Sequence, residues 1–155
     1  MPEAHDLPDR AHDFEQQARA VLDLAGAHGL SVATAESCTG GLLASLFTDI
    51  QGYSGSFERG FVTYSEESKC ELLGIEPIAI QRHGVVSAEI ALAMAQGALE
   101  HSRAGISCGI TGFAGPSGGE GEDGLVHIAV LARGNPPILR ECHFGDRDRA
   151  EARRL

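Results

Sequence analysis

Lysine is almost missing from this sequence. Of the 12 Lys and Arg residues among 155, 11 are Arg, and Lys69 stands alone. An arginine guanidinium stays protonated in a protein, whereas a lysine amine gives up its proton where its surroundings disfavour charge, so the chain keeps one side-chain amine able to act as a base. Basic residues are scarce altogether. Against 22 Asp and Glu they leave a formal net charge of −10, the wrong sign for gripping a phosphate backbone. With no Trp and only 5% aromatic residues, there is little from which to build a base-stacking platform. Nucleic acid is therefore excluded as a general partner. The four cysteines, Cys38, Cys70, Cys108 and Cys142, form no C-x-x-C pair. That excludes a zinc ribbon or a disulfide framework and fits small buried side chains in a reducing compartment. No cluster of His and carboxylates has metal-ligand spacing. No apolar run reaches the length of a membrane span, and Met1 to Asp6 lack the basic and apolar regions of a signal peptide. A cytoplasmic protein without membrane contact is expected.

What the chain does have is enough apolar residues, 43%, for one domain around one core, and 20 glycines to punctuate it. Residues 1–13 are polar and Pro-containing, which predicts a flexible start before a domain over 14–155. From Phe14 the positions Ala18, Val21, Leu22 and Ala25 follow a 3.6-residue period that stops at Gly29, a helix with a glycine cap. Leu30 to Thr34 reads as a strand. It runs into Glu36-Ser37-Cys38-Thr39-Gly40-Gly41 and then a helix from Leu42 to Phe47, a strand, a tight turn and a helix in succession. Phe57 to Thr63 reads as a second strand, followed by a helix in which Ser65 caps the first amides and Gly74 ends the segment. His83 to Val86 reads as a loop before a helix from Ser87 to about Ser102, whose small residues between Ala91 and Ala98 suit close packing against a sheet or a second copy. Gly105 to Thr111 is a third strand, ending in the glycine-rich loop Gly112 to Gly119. Gly124 to Arg133 and Ile138 to Phe144 pair as a hairpin across Gly134-Asn135-Pro136-Pro137, and a last helix starts at Asp146.

Strands alternating with helices, then a hairpin, predict one α/β domain of three layers, α/β/α, around a mixed, mostly parallel sheet of about five strands. Such sheets bind ligands beyond the carboxyl ends of their parallel strands. That rule brings together the Ser37 turn, Tyr64 to Lys69, and Thr111 to Gly119. Ser37, on a sharp turn from strand to helix, is placed like an exposed nucleophile with free amides nearby, although Ser37 or Thr39 could equally serve only as a helix cap. A serine nucleophile needs a base. His83 is one candidate; Lys69 is the other, since the positive end of its helix and partial burial both disfavour the ammonium form. Tyr64 stands where it could relay a proton or fix the lysine. Cys38 is an alternative nucleophile, but adjacent residues on a tight turn point apart, and a thiol would want a histidine beside it. The acidic run Glu120-Gly121-Glu122-Asp123 reads as solvated loop.

Taken together, Thr34 to Gly41, Phe57 to Ser65 with Lys69, His83 to Ser87, and Gly109 to Pro116 resemble the CinA C-terminal domain family, the nicotinamide-nucleotide amidases, from about residue 15 to Arg147. The resemblance implies hydrolysis of nicotinamide mononucleotide to nicotinic acid mononucleotide and ammonia, without cofactor or metal, in pyridine-nucleotide salvage. It implies Ser37 as nucleophile, Lys69 as its partner and Tyr64 as their neighbour. On that basis the amides of Thr39, Gly40 and Gly41 are expected to hold an oxyanion. Thr111, Gly112, Ala114 and Gly115 are expected to cradle the ribose phosphate, with Arg147 supplying positive charge. The nucleotide pyrophosphatase domain of longer members has no counterpart here, so that activity is not expected. A homo-oligomer, a dimer first of all, is expected from the small-residue helix face. The competing expectation is a module that binds a pyridine nucleotide or another phosphometabolite for regulation without turning it over.

Overall fold

The computed structural model, which describes residues 7–155, holds five strands and six helices over those residues. In chain order they are α1 (Leu7–Ala27), β1 (Val32–Glu36), α2 (Leu42–Thr48), β2 (Phe57–Val62), α3 (Glu66–Leu73), α4 (Pro77–His83), α5 (Ala88–Glu100), β3 (Ile106–Gly112), β4 (Leu125–Ala132), β5 (Ile138–His143) and α6 (Arg149–Ala152). The helix read from Phe14 starts at Leu7; the first six residues of the expected flexible start lie outside the described residues. Ala18, Leu22 and Ala25, spaced three and four apart, put one stripe of α1 into the core.

The strands lie in the order β2-β1-β3-β4-β5. All five residues of β1 are buried, as a central strand covered on both faces requires. Alternation sorts them: Val32 packs with Phe47 and Leu22 under α1 and α2, while Ala33 and Ala35 pack with Met94 and Ile90 of α5 and Leu73 of α3. The result is three layers, with α1 and α2 on one side and α3, α4 and α5 on the other. α5 lies close because Gly109 has no side chain; a Cβ there would overlap the Ala91 carbonyl. Ser87 caps this helix, accepting from Ile90 N at 3.2 Å. Ala91, Ala95 and Ala98, the small-residue face read as packing against a sheet or a second copy, are completely buried within the chain, against Ala129 of β4 and Ala33 of β1.

The sheet is mixed but not mostly parallel. β1 pairs in parallel with β2 and with β3 over five residue pairs each, whereas the antiparallel ladders β3–β4 and β4–β5 hold seven and six. Antiparallel pairing therefore predominates. The reason is connection length and content: a parallel return needs a crossover of a dozen residues or more, usually helical. The segment after β3 is a loop without a helix, so β4 comes back antiparallel, and the turn at Gly134 does the same for β5. Two helices also differ from expectation. α4, starting on Pro77 and closed by Gly84, occupies residues for which no element was predicted. The helix expected from Asp146 to Leu155 is helical only over Arg149–Ala152, capped by Asp148 through Ala150 N at 2.7 Å.

Candidate active site

Ser37 and Lys69 meet because the alternation along β1 continues one step past the strand. Ala33 and Ala35 face α3 and α5, so Ser37 falls on the same side. Its amide is tied to the Ile110 carbonyl at 3.0 Å. Ser65 caps α3 by accepting from Ser68 N at 3.1 Å, which sets the phase that turns Lys69 inward. Lys69 Nζ lies 3.0 Å from Ser37 Oγ and donates to the main-chain carbonyls of Thr63 at 2.8 Å and Tyr64 at 3.4 Å. The side chain is completely buried. Burial pushes its pKa below the ordinary lysine value, against a weaker opposing pull from Glu66. A neutral amine has two N–H donors and one lone pair. With two carbonyls taking the donors, the lone pair is left for the Ser37 hydroxyl.

The buried carboxylate nearest in sequence, Glu36, faces the other way. It accepts from Leu43 N at 2.9 Å and Ala44 N at 3.0 Å, the free amides at the start of α2. Between them the turn passes Gly40 at φ +60° and Gly41 at φ +98°, backbone that a side chain would strain. Gly40 N donates to the Ser37 carbonyl at 3.1 Å and Leu42 N to the Thr39 carbonyl at 3.2 Å. The Gly40 amide, one of the three expected oxyanion donors, is thus already engaged.

A cleft of about 220 Å³ opens on this pair, and Ser37, Tyr64, Lys69, Thr111, Gly112, Ala114 and Gly115 all line it. Thr39, Gly40 and Gly41 do not; they form the turn behind Ser37. Arg147 is also outside, tied to Glu151 at 2.7 Å and to the Phe144 carbonyl at 2.9 Å. The cation in the cleft is Arg149, two residues on, which donates to the Tyr64 hydroxyl at 3.4 Å. Tyr64 therefore meets Lys69 through its carbonyl and Arg149 through its ring. Thr111 gives its hydroxyl to the Val85 carbonyl at 2.9 Å, and Gly112 is small because a Cβ would press on Val126. Phe113 and Pro116 complete the glycine loop. Sequence reasoning missed Arg149, the Thr63 carbonyl and the Glu36 cap. In the run Arg147-Asp148-Arg149 the two arginines are separated by the helix boundary, Arg147 lying before the Asp148 cap and Arg149 opening α6, and a carbonyl leaves no mark in a sequence.

Of the rival groups, His83 is removed by its position, while Cys38, which also lines the cleft, is disfavoured by its surroundings. His83, the other candidate base, ends α4 beside Glu89 at 3.8 Å and does not line the cleft. Cys38 is buried among Ile110, Ala114, Val126 and Ala152, and that burial raises its thiol pKa, away from the thiolate a nucleophile needs. Among the described residues no group of three or more His, Cys, Asp or Glu is placed to hold a metal ion. Asp123 of the acidic run instead fastens the glycine loop, accepting from Ser117 N at 2.7 Å. A second hollow of about 290 Å³, between Gln96 and Glu100 of α5 and Arg133 to Asn135, has no Ser, Thr or Cys among its lining residues. No helix among the described residues is long and apolar enough to cross a membrane.

Comparison with known proteins gives a consistent answer. A model of the CinA C-terminal domain matches residues 14–155. The nicotinamide-nucleotide amidohydrolase PncC of Escherichia coli (strain K12) is 49% identical over 125 residues, 79% of this chain and 76% of that protein. A CinA-like protein of Chlorobaculum tepidum is 53% identical over 115 residues, 73% of this chain but 27% of that longer protein. Among solved structures, the competence/damage inducible protein CihA from Agrobacterium tumefaciens superposes with a TM-score of 0.87 at 44% identity, over 92% of this chain and 87% of that one. A CinA superfamily protein from Escherichia coli superposes with a TM-score of 0.86 at 33% identity, over 91% of this chain and 82% of that one. The chain belongs to the CinA C-terminal domain family.

Proposed function

We propose that the chain is a nicotinamide-nucleotide amidohydrolase, converting nicotinamide mononucleotide and water to nicotinic acid mononucleotide and ammonia, and that residues 14–155 carry the activity. One observation carries the mechanism: a completely buried lysine amine 3.0 Å from a serine hydroxyl in a lined cleft. The kinship with PncC supplies the substrate class. Four cysteines, none in a disulfide, suit the cytoplasm in which pyridine nucleotides are salvaged.

In this mechanism neutral Lys69 takes the Ser37 proton as Oγ attacks the carboxamide carbon. The oxyanion faces the turn at Ser37; the amide of Cys38, the next residue and one that lines the cleft, is its candidate donor, since Gly40 N is bound to Ser37 O and Thr39 and Gly41 lie outside the cleft. The proton on Lys69 then passes to the carboxamide nitrogen, the C–N bond breaks and ammonia leaves a nicotinoyl ester on Ser37. Water, deprotonated by the same amine, cleaves that ester and returns the proton to Oγ. Arg149, beside Gly115 at the mouth, supplies the positive charge that the substrate's phosphate needs, the role expected of Arg147.

Incubation of purified protein with nicotinamide mononucleotide, followed by an enzymatic ammonia assay, is the direct test. Turnover is expected in the native chain and a loss of about 10³-fold or more in Ser37→Ala. Ammonia release that survives in Ser37→Ala overturns the mechanism. Binding of the nucleotide by calorimetry with no release from the native chain favours a regulatory binding module.

A further inference from the structure

Arg153 reaches the turn of Ser37 from the far end of the chain. It follows Ala152, which is buried with Cys38, Ile110 and Ala114, and its Nη2 donates to the Thr39 carbonyl at 2.9 Å. That carbonyl belongs to the peptide joining Thr39 to Gly40, and the N–H of the same peptide donates to the Ser37 carbonyl at 3.1 Å. Guanidinium and serine are thus linked through one rigid plane. This plane is the part of the turn able to rotate, because Gly40, at φ +60°, accepts either sign of φ without a side-chain clash. The guanidinium lies against it: a Cβ on Gly40 would stand 2.9 Å from Nη2.

Stability alone explains this contact poorly. Arg153 Nε and the Thr39 hydroxyl are both buried and, among the described residues, without a hydrogen-bond partner. Within the protein the guanidinium is thus paired with the turn through the Thr39 carbonyl alone. What the contact supplies is orientation. With the Thr39 carbonyl drawn outward, the peptide N–H is held on Ser37 and the serine main chain keeps a single position relative to α3.

We propose that Arg153 is a positioning residue for Ser37, clamping the Thr39–Gly40 peptide so that Oγ stays within hydrogen-bond distance of Lys69. It does not line the cleft. Its premise is the nucleophilic role of Ser37 given above.

The test compares native protein, Arg153→Ala and Arg153→Lys in two assays: steady-state turnover of nicotinamide mononucleotide, and the rate at which a small alkyl fluorophosphonate phosphonylates Ser37 with loss of fluoride. Misplacing a nucleophile by a fraction of an ångström predicts that Arg153→Ala loses about 10- to 100-fold in kcat with KM changed less than about threefold. Labelling is expected to slow by a similar factor. Added guanidinium ion, or the ammonium of Arg153→Lys, is expected to restore part of both rates. A rise in KM with kcat unchanged, no change in either, or a loss that follows a fall in Tm and is recovered by neither guanidinium nor Arg153→Lys, overturns the proposal. Native protein that labels but releases no ammonia removes the substrate assignment while leaving the labelling comparison to decide Arg153. Native protein whose Ser37 does not label removes both.

Discussion

At the scale of the residue, a lysine amine enclosed by protein and facing two carbonyls and a hydroxyl can do two things: hold a charge at high cost, or shed it and offer a lone pair. Burial favours the second for Lys69. Arginine cannot follow, because its guanidinium keeps its proton. Lys69→Arg is therefore expected to lower kcat by about 10³-fold or more, as loss of a general base does, while binding of the nucleotide by calorimetry persists. In native protein kcat/KM is expected to rise with pH through the lowered pKa of Lys69 and to level off below the ordinary value of 10.5. A flat profile across that window, or a Lys69→Arg variant with near-native turnover, returns the lysine to a structural role. Lys69 was legible from composition and Ser37 from its turn. The carbonyls of Thr63 and Tyr64 that prepare the amine were not, because any residue type supplies a carbonyl.

The element that aims Ser37 is the β1–α2 unit, and Glu36 holds it together. Its carboxylate takes two first-turn amides of α2 and is completely buried. Glu36→Gln keeps one acceptor but turns an NH₂ towards amides that also donate. It is expected to cost about 1–3 kcal/mol of unfolding free energy, the usual range for a buried group left unpaired. Urea denaturation measures that loss, and an unchanged midpoint excludes a capping role for Glu36. The strand, turn and helix around Ser37 were legible because glycine spacing and apolar period are local properties. The cap was not, since Glu36 is as well suited to a catalytic carboxylate as to a helix start until the direction of its side chain is known. For the same reason α4 escaped notice although Pro77 marks its first turn.

Across the whole molecule, the buried lysine makes stability depend on pH, with a sign that can be worked out. The unfolded chain binds the lysine proton up to its ordinary value, whereas the folded chain releases it at lower pH. Between those two values the unfolded state holds one more proton, so stability rises with pH. Below the folded-state pKa the penalty is fully present; above 10.5 it no longer changes. Because the chain has one lysine, the difference between native protein and Lys69→Met isolates this group. Unfolding free energies across that window are expected to climb in native protein relative to the variant, and parallel curves contradict a depressed lysine pKa. At this scale the three layers were legible, since helix and strand periods alternate along the chain. The balance of the sheet was not: strand direction follows from whether the long loop after β3 holds a helix, and four glycines and a proline between Gly112 and Gly119 exclude a helix without stating which way β4 returns.

The amino-acid order by itself therefore determined what depends on neighbours a few residues away: the long helices, the Ser65 and Ser87 caps, the strands, the two glycine turns, and the serine and lysine as the pair to watch. The tertiary structure decided what depends on contact between distant segments. It brought Ser37 to 3.0 Å from Lys69 across 32 positions, and Arg153 to Thr39 across 114. It also chose Arg149 over Arg147 for the cleft. Local pattern fixes which face of an element is apolar, but a polar side chain takes its role from what the other elements place opposite it.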